Sequence, residues 1–145
     1  QQYETSAYAK PGFQCQHNLN YWRFGDYLAI GCGAHGKLTF LDGDILRFSK
    51  TKHPKGYLRG EYLYEEKNVE KNDRAFEFFM NRFRLLEAVP KQEFEYYTGL
   101  SQSAVKNQID FAIQQNYIVE TPDYWQITEH GKLFLNELLA LFLDE

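Results

Sequence analysis

Ser101-Gln-Ser-Ala-Val-Lys-Asn-Gln-Ile-Asp-Phe-Ala-Ile-Gln-Gln-Asn-Tyr-Ile-Val-Glu-Thr-Pro-Asp-Tyr-Trp-Gln-Ile-Thr128 changes hydrophobic period midway, and that change decides the fold of the C-terminal half. Val105, Ile109, Ala112 and Ile113 recur at helical spacing behind Ser101, a residue that caps a first turn well. Tyr117–Glu120 and Tyr124–Thr128 then read as two short strands around Thr121-Pro122-Asp123, a hairpin. Thr128 can cap a last helix whose Phe134, Leu135, Leu138, Leu141 and Phe142 face a core.

Upstream of that stretch the pattern is helical from Asp73, with Phe76, Phe79, Met80, Phe83 and Leu86 three or four apart. Pro90 ends that helix, and Lys91–Tyr97 forms another that Gly99 closes. Three helices, a hairpin and a closing helix resemble a winged-helix fold, which often binds DNA. Charge argues against nucleic acid here: residues 91–145 hold three lysines, no arginine and nine acids. A groove-binding surface needs cations to displace counterions, and the third helix offers only Lys106, offset by Asp110.

The N-terminal half reads differently. Gln1–Tyr8 alternates weakly, as a strand does, and Lys10-Pro11-Gly12 is a turn. Asn18–Phe24 can make a short helix stopped by Gly25, which puts His17 and Tyr21 on one face. Tyr27–Ile30 fits a buried strand leading into a glycine loop, and Asp42-Gly43 marks a two-residue hairpin turn within Thr39–Phe48. Arg47, Lys50, Lys52, Lys55 and Arg59 follow with no acid between Asp44 and Gly60, a basic run able to collect carboxylates or phosphates.

At 145 residues the chain is long enough for a real core, and 43% apolar with 25% charged residues is a globular composition. Aromatics at 17% favour stacking surfaces or an aromatic core. No apolar run reaches a membrane span and no signal peptide opens the sequence, so a soluble, cytoplasmic protein is expected. Met80 is the only methionine, which implies that the chain was cut from a longer one. Cys15 and Cys32 are too few for a disulfide framework or a four-ligand cluster, and Cys15-Gln16-His17 alone makes no zinc site.

His17–Gly36 concentrates the chemistry, with two histidines, four aromatics, a cysteine and four glycines. Aromatics and glycines suit a flat ligand approached closely by backbone, and an imidazole beside them can ligate iron. Gly31-Cys-Gly-Ala-His-Gly36 is formally G-x-G-x-x-G, but Lys37-Leu-Thr-Phe-Leu41 after it is extended, and a dinucleotide fingerprint must open a helix. A ligand contact through Ile30, Gly31, Gly33 or His35 stays open. His53 is at a turn and His130 reads as structural. No pairing of serine or cysteine with histidine supports nucleophilic catalysis.

Tyr3-Glu-Thr-Ser-Ala-Tyr-Ala-Lys-Pro-Gly12, His17-Asn-Leu-Asn-Tyr-Trp22 and Gly25-Asp-Tyr-Leu-Ala-Ile-Gly-Cys-Gly-Ala-His-Gly36 resemble the oxygen-independent coproporphyrinogen III oxidase family of radical S-adenosylmethionine proteins. Phe76-Glu-Phe-Phe-Met-Asn-Arg-Phe-Arg-Leu85 and Tyr124-Trp-Gln-Ile-Thr-Glu-His-Gly-Lys-Leu133 are similar to the C-terminal domain of that family's haem-chaperone branch. The resemblance implies an α+β chain. Residues 1–70 would be the last strands of an incomplete α/β barrel plus a basic linker, and residues 71–145 a mainly helical, winged-helix-like domain. It implies a [4Fe–4S] cluster on a CxxxCxxC motif and S-adenosylmethionine in the full-length protein. This chain lacks that motif and should be inactive in radical chemistry alone.

The branch's H-N-x-x-Y motif, associated with haem binding, falls on His17, Asn18 and Tyr21, with His17 the iron ligand. Arg47, Lys50 and Lys52 become candidates for the propionates. The implied function is haem binding and delivery to haem-requiring proteins, some of them membrane enzymes met at the membrane surface. The barrel would act in cis, and homodimer formation is expected. The alternative is oxidative decarboxylation of coproporphyrinogen III propionates, and the plainest reading is a docking module.

Overall fold

The structure, a computed structural model, describes residues 1–143 and is mixed α/β. It divides into two compact units. One joins Gln1–Phe24 to the chain from Lys71 onward, and the other is Gly25–Glu70. The sequence reading cut the chain once, at 70/71; packing cuts it at 24/25 as well.

In the first unit β1 (Gln2–Glu4) and β2 (Ala7–Tyr8) form a small antiparallel ribbon. Lys10-Pro11-Gly12 turns as expected, with Phe13 N–H bonded to Lys10 O at 3.0 Å and Gly12 at φ +83°. Helix α1 runs Gln16–Trp22. It is stopped one residue before the expected glycine, because Phe24 itself takes the left-handed conformation, φ +71°. A bulky residue adopts that backbone at a cost of about 1–2 kcal/mol. Burial of the Phe24 ring, 1% exposed and edge-on to Phe78 at 5.7 Å, offsets it.

Helix α3 (Lys71–Arg82) is followed by β6 (Val89–Pro90) and α4 (Lys91–Thr98), which Gly99 closes at φ +70°. A 3-10 turn, Gln102–Val105, capped by Ser101, leads into α5 (Lys106–Gln114). Strands β7 (Ile118–Glu120) and β8 (Tyr124–Ile127) form the expected hairpin, with β6 on the far side of β8. The closing helix is two pieces, α6 (Glu129–Leu133) and α7 (Leu135–Ala140), broken at Phe134. Thr128 Oγ1 accepts from Gly131 N–H at 2.8 Å, the expected cap.

The core of this unit is aromatic. Phe79 has Phe78, Phe83, Phe94, Trp125 and Phe142 around it at ring separations of 4.4–5.5 Å. The sequence stripe omitted Phe78 and Leu85, both 0% exposed, and included Phe76, Met80 and Leu86, which stay partly exposed. For Leu85 and Leu86 the shift arises because α3 ends at Arg82 and the next residues leave helical geometry. Leu85 is drawn inward by its bridge to Glu4, with Leu86 N–H on Tyr3 O at 3.1 Å.

The second unit is an antiparallel meander, β3 (His35–Thr39), β4 (Ile45–Lys50) and β5 (Leu63–Asn68), with a short helix α2 (Pro54–Leu58) before β5. The basic run is therefore a central strand and a helix rather than a linker. Alternating Ile45, Arg47 and Ser49 against Leu46 and Phe48 suits a strand with neighbours on both edges. The hairpin turn has three residues, not two. Phe40 N–H bonds Asp44 O at 2.8 Å and Gly43, at φ +91°, supplies the left-handed position. Tyr27–Ile30 is not a buried strand. Tyr27 alone pairs with Lys37, while Leu28 and Ile30 are 70% and 85% exposed and Gly31, at φ +101°, turns the chain.

Candidate functional site

Two faces of α1 do different work. Leu19, Trp22 and the C-cap Arg23 fasten the helix to its unit. Leu19 is buried, Trp22 lies 6.3 Å from the Tyr3 ring with the Arg84 guanidinium 5.5 Å above it, and Arg23 makes two 2.9 Å bonds to Glu87. Arg84 in turn donates to Glu4 at 3.0 Å, a carboxylate with 0% exposure that also accepts from Thr5 and Ser6. Burial pushes the Glu4 carboxyl up, but those donors outweigh it and hold it below its usual range.

Glu87 is shared. It also lies 3.5 Å from Arg82, which is 2% exposed and pairs with Glu93 at 2.9 Å. The bond from Arg23 holds the Glu87 carboxyl below its ordinary 4.5, against the burial that would raise it. A depressed carboxyl stabilises the fold above its unfolded value and stops doing so as pH falls through its folded value. Glu87→Gln is therefore expected to lower the urea midpoint at pH 7 and to narrow its gap to wild type at about pH 3–4. Parallel midpoints across that range would show that the pair does not hold α1.

The opposite face of α1 is open. His17 and Asn18 are exposed and Tyr21, one turn on from His17, is 37% exposed. Cys15, at the N-cap position, is exposed and caps nothing. Phe13 nearby in sequence is 78% exposed. This face offers an imidazole nitrogen, a carboxamide and a phenol to something outside. Such a donor set fits one axial side of a haem. Among the described residues no group of three histidine, cysteine or acidic side chains could hold a bare metal ion.

In the second unit the Gly31–Gly36 loop is stapled to its own neighbours. Gly31 N–H bonds Tyr57 Oη at 3.0 Å, Gly33 N–H bonds Thr51 O at 2.9 Å, and Cys32 Sγ donates to Thr51 O and Lys52 O. These amides point inward, and β3 rather than a helix follows, so the glycines do not cradle a phosphate. Gly36 instead makes room for the Phe48 ring, which would lie 2.3 Å from a Cβ there. His35 is exposed and starts β3, and Ile30 projects into solvent.

The three candidate propionate contacts are not brought together on one face. Arg47 lies on the sheet face of Ser49, Lys50 is 5.6 Å from the ring of Phe48 on the other face, and Lys52 sits over Tyr64 at 5.5 Å beyond the strand end. Beside Arg47 the register puts Lys37 and Lys67, which the sequence reading missed because β5 pairs with β4 only through the fold. Lys37, 1% exposed, is matched by Asp26 at 3.2 Å.

Residues 69–134 match the family described as the HemN C-terminal domain. Across all its residues the chain is 90% identical to the heme chaperone HemW of Haemophilus influenzae and 68% identical to that of Escherichia coli. A heme chaperone HemW from Bacillus subtilis is 32% identical over 99% of the chain. The chain spans 38% of the length of each of these curated relatives. Among solved structures it is similar to coproporphyrinogen III oxidase (HemN) from Escherichia coli, titled a radical SAM enzyme. The TM-score is 0.54 at 13% identity, over 81% of this chain and 28% of that one, a likeness of fold alone.

Proposed function

This chain belongs to the haem-chaperone branch of the oxygen-independent coproporphyrinogen III oxidase family of radical S-adenosylmethionine proteins, and on that premise we propose that it binds haem through α1 for delivery to haem-requiring proteins. The observation that carries the reading is the split of α1 into an anchored face, Leu19, Trp22 and Arg23, and an open one, His17, Asn18 and Tyr21. His17 presents its imidazole as the iron ligand, with Asn18 and Tyr21 beside it. Bound haem would supply the iron centre that the His17 imidazole would hold. An exposed ligand on a rigidly held helix suits a carrier, since exchange to an acceptor needs access that a closed cavity denies.

Decarboxylation is the weaker reading. The relatives that match the whole chain carry the chaperone name, and the oxidase is a likeness of fold alone. The [4Fe–4S] cluster and S-adenosylmethionine belong to the full-length protein in this reading, since Cys15 and Cys32 form no CxxxCxxC motif. We read Gly25–Glu70 and the N-terminal ribbon as the end of the barrel. Helices α3–α5 with the β7–β8 hairpin form a winged-helix-like module, a reading supported by their order. Acceptors bound in membranes would be met from the cytoplasm, and among the described residues no helix is long and apolar enough to cross a membrane.

Titrating ferric haem into the chain while following the Soret band is expected to show a saturable red shift. His17→Ala should lose it and bind about tenfold or more weakly, about 1.4 kcal/mol per decade. His35→Ala should titrate as wild type. A His17→Ala titration that overlays wild type removes this reading.

A further inference from the structure

Arg82 is buried where its type and place give no reason for burial. A basic residue in the last turn of an amphipathic helix complements the helix dipole from the solvent side, yet the Arg82 side chain at the end of α3 is 2% exposed. Its Nη2 pairs with Glu93 of α4 at 2.9 Å. Its Nη1 lies 3.5 Å from Glu87 Oε1, and neither Nη1 nor Nε makes a hydrogen bond to any described residue. A guanidinium so desolvated and so incompletely bonded is a poor stabiliser, and an apolar side chain of its volume would pack there at least as well. What Arg82 supplies is a fixed positive charge, held by burial on one side and by Glu93 on the other.

Glu87 is the group that this charge can steer. It lies in the bend between α3 and β6, where no helix or strand limits its rotamer. Both of its oxygens nevertheless meet one partner, Arg23 Nε and Nη2 at 2.9 Å each, and Arg23 is the C-cap residue of α1. That fork fixes direction as well as distance. Left to themselves, two part-exposed side chains lose rotamer entropy when they hold one geometry, which is why such pairs are weak. A fixed cation beside one of them removes part of that cost. We propose that Arg82 is a positioning residue for α1, acting through Glu87: its guanidinium holds the carboxylate where it takes both nitrogens of Arg23, and so sets the end of the helix that carries His17. The value of that position for haem rests on the function proposed above; the hold of Arg82 on Glu87 and Arg23 does not.

The test follows the Arg23 side-chain Nε–H resonance in the full chain labelled with ¹⁵N-arginine, first without haem. In wild type it should show the downfield proton and slow exchange of a hydrogen bond to a carboxylate. Arg82→Met should still fold, because Glu87 and Glu93 both keep contact with water, but its Arg23 resonance should move to the position and exchange rate of an exposed arginine. Arg82→Lys, which keeps the charge, should restore the wild-type resonance; a side chain needed only for its volume would be rescued by methionine instead. Glu93→Gln leaves the buried residue intact and cuts its tether to α4. Arg82 then turns to Glu87 and competes with Arg23, so the resonance should move there too. With ferric haem, Arg82→Met should bind about two- to fivefold more weakly than wild type, the range of part-exposed ion pairs. An Arg23 resonance unchanged in either folded variant, Arg82→Met or Glu93→Gln, overturns the proposal. So does wild-type haem affinity in Arg82→Met beside a weakened His17→Ala.

Discussion

Phe79→Ala is expected to cost the first unit about 3–5 kcal/mol, the range for emptying an aromatic site in a packed core. The ring is 0% exposed and stacks on Phe83 at 4.9 Å and on Phe94 at 5.4 Å, with Phe142 at 4.4 Å and the Trp125 edge at 5.5 Å. Its neighbours come from α3, α4, β8 and the residue region after α7, so no single element can move in to fill the space. Relaxation is what makes some truncations cheap, and here it would have to displace several elements at once. Phe76→Ala, from the same helix and the same sequence stripe, is expected to cost about 1 kcal/mol, because its ring is only partly covered. Urea unfolding of the two variants beside wild type measures the contrast. Equal losses would mean that the core is centred elsewhere.

Gly131→Ala tests a sign as well as a size. Helix propensity alone favours alanine over glycine by about 0.8–1.0 kcal/mol. A Cβ at Gly131 would lie 2.0 Å from the Tyr117 carbonyl oxygen and 2.9 Å from Ile127 Cγ1. That oxygen accepts from Thr128 N–H at 2.9 Å and from Thr128 Oγ1 at 3.0 Å, and Gly131 N–H is itself the donor to the Thr128 cap. Moving α6 away to admit the methyl group breaks the cap and the closure of the hairpin onto the helix together. Overpacking at about 1–3 kcal/mol and a lost cap at about 1 kcal/mol outweigh the propensity gain, so a net loss of about 1–3 kcal/mol is expected. A variant as stable as wild type would show that α6 is free to shift.

These residues also show what was legible in the chain before its fold was known. Ser101, Gly99 and Thr128 act where their chemistry acts locally, at helix ends, and each end is where the pattern put it. Arg82 has the look of a surface charge in an amphipathic helix, yet it is 2% exposed, with two acids from beyond α3, Glu87 and Glu93, paired to it. No periodicity within α3 encodes that. Glu4 and Arg84 meet across eighty positions of sequence for the same reason. Phe24 looked like the last residue before a glycine stop; its left-handed backbone follows from a partner, Phe78, that only tertiary packing supplies.

The candidate site divides in the same way. His17 and Tyr21 are one turn apart, so local geometry alone was enough to put them on one face, and the structure leaves that face open. The anchoring of its other face by Glu87 and Arg84 was not legible, since it joins residues separated by more than sixty positions. The basic run was seen as a set of charges but not as a strand. Strand alternation separates Arg47 from Lys50, and sheet register gives Arg47 a different neighbour, Lys67.

The central claim is that a nitrogen of His17 ligates haem iron. Electron paramagnetic resonance of the ferric haem-loaded full chain, prepared once with natural-abundance and once with ¹⁵N-labelled histidine, tests it directly. The account predicts a histidine nitrogen hyperfine coupling that changes with the label, persists in His35→Ala and His53→Ala, and disappears in His17→Ala. A label-dependent coupling that survives unchanged in His17→Ala, or no histidine coupling in wild type, would contradict it.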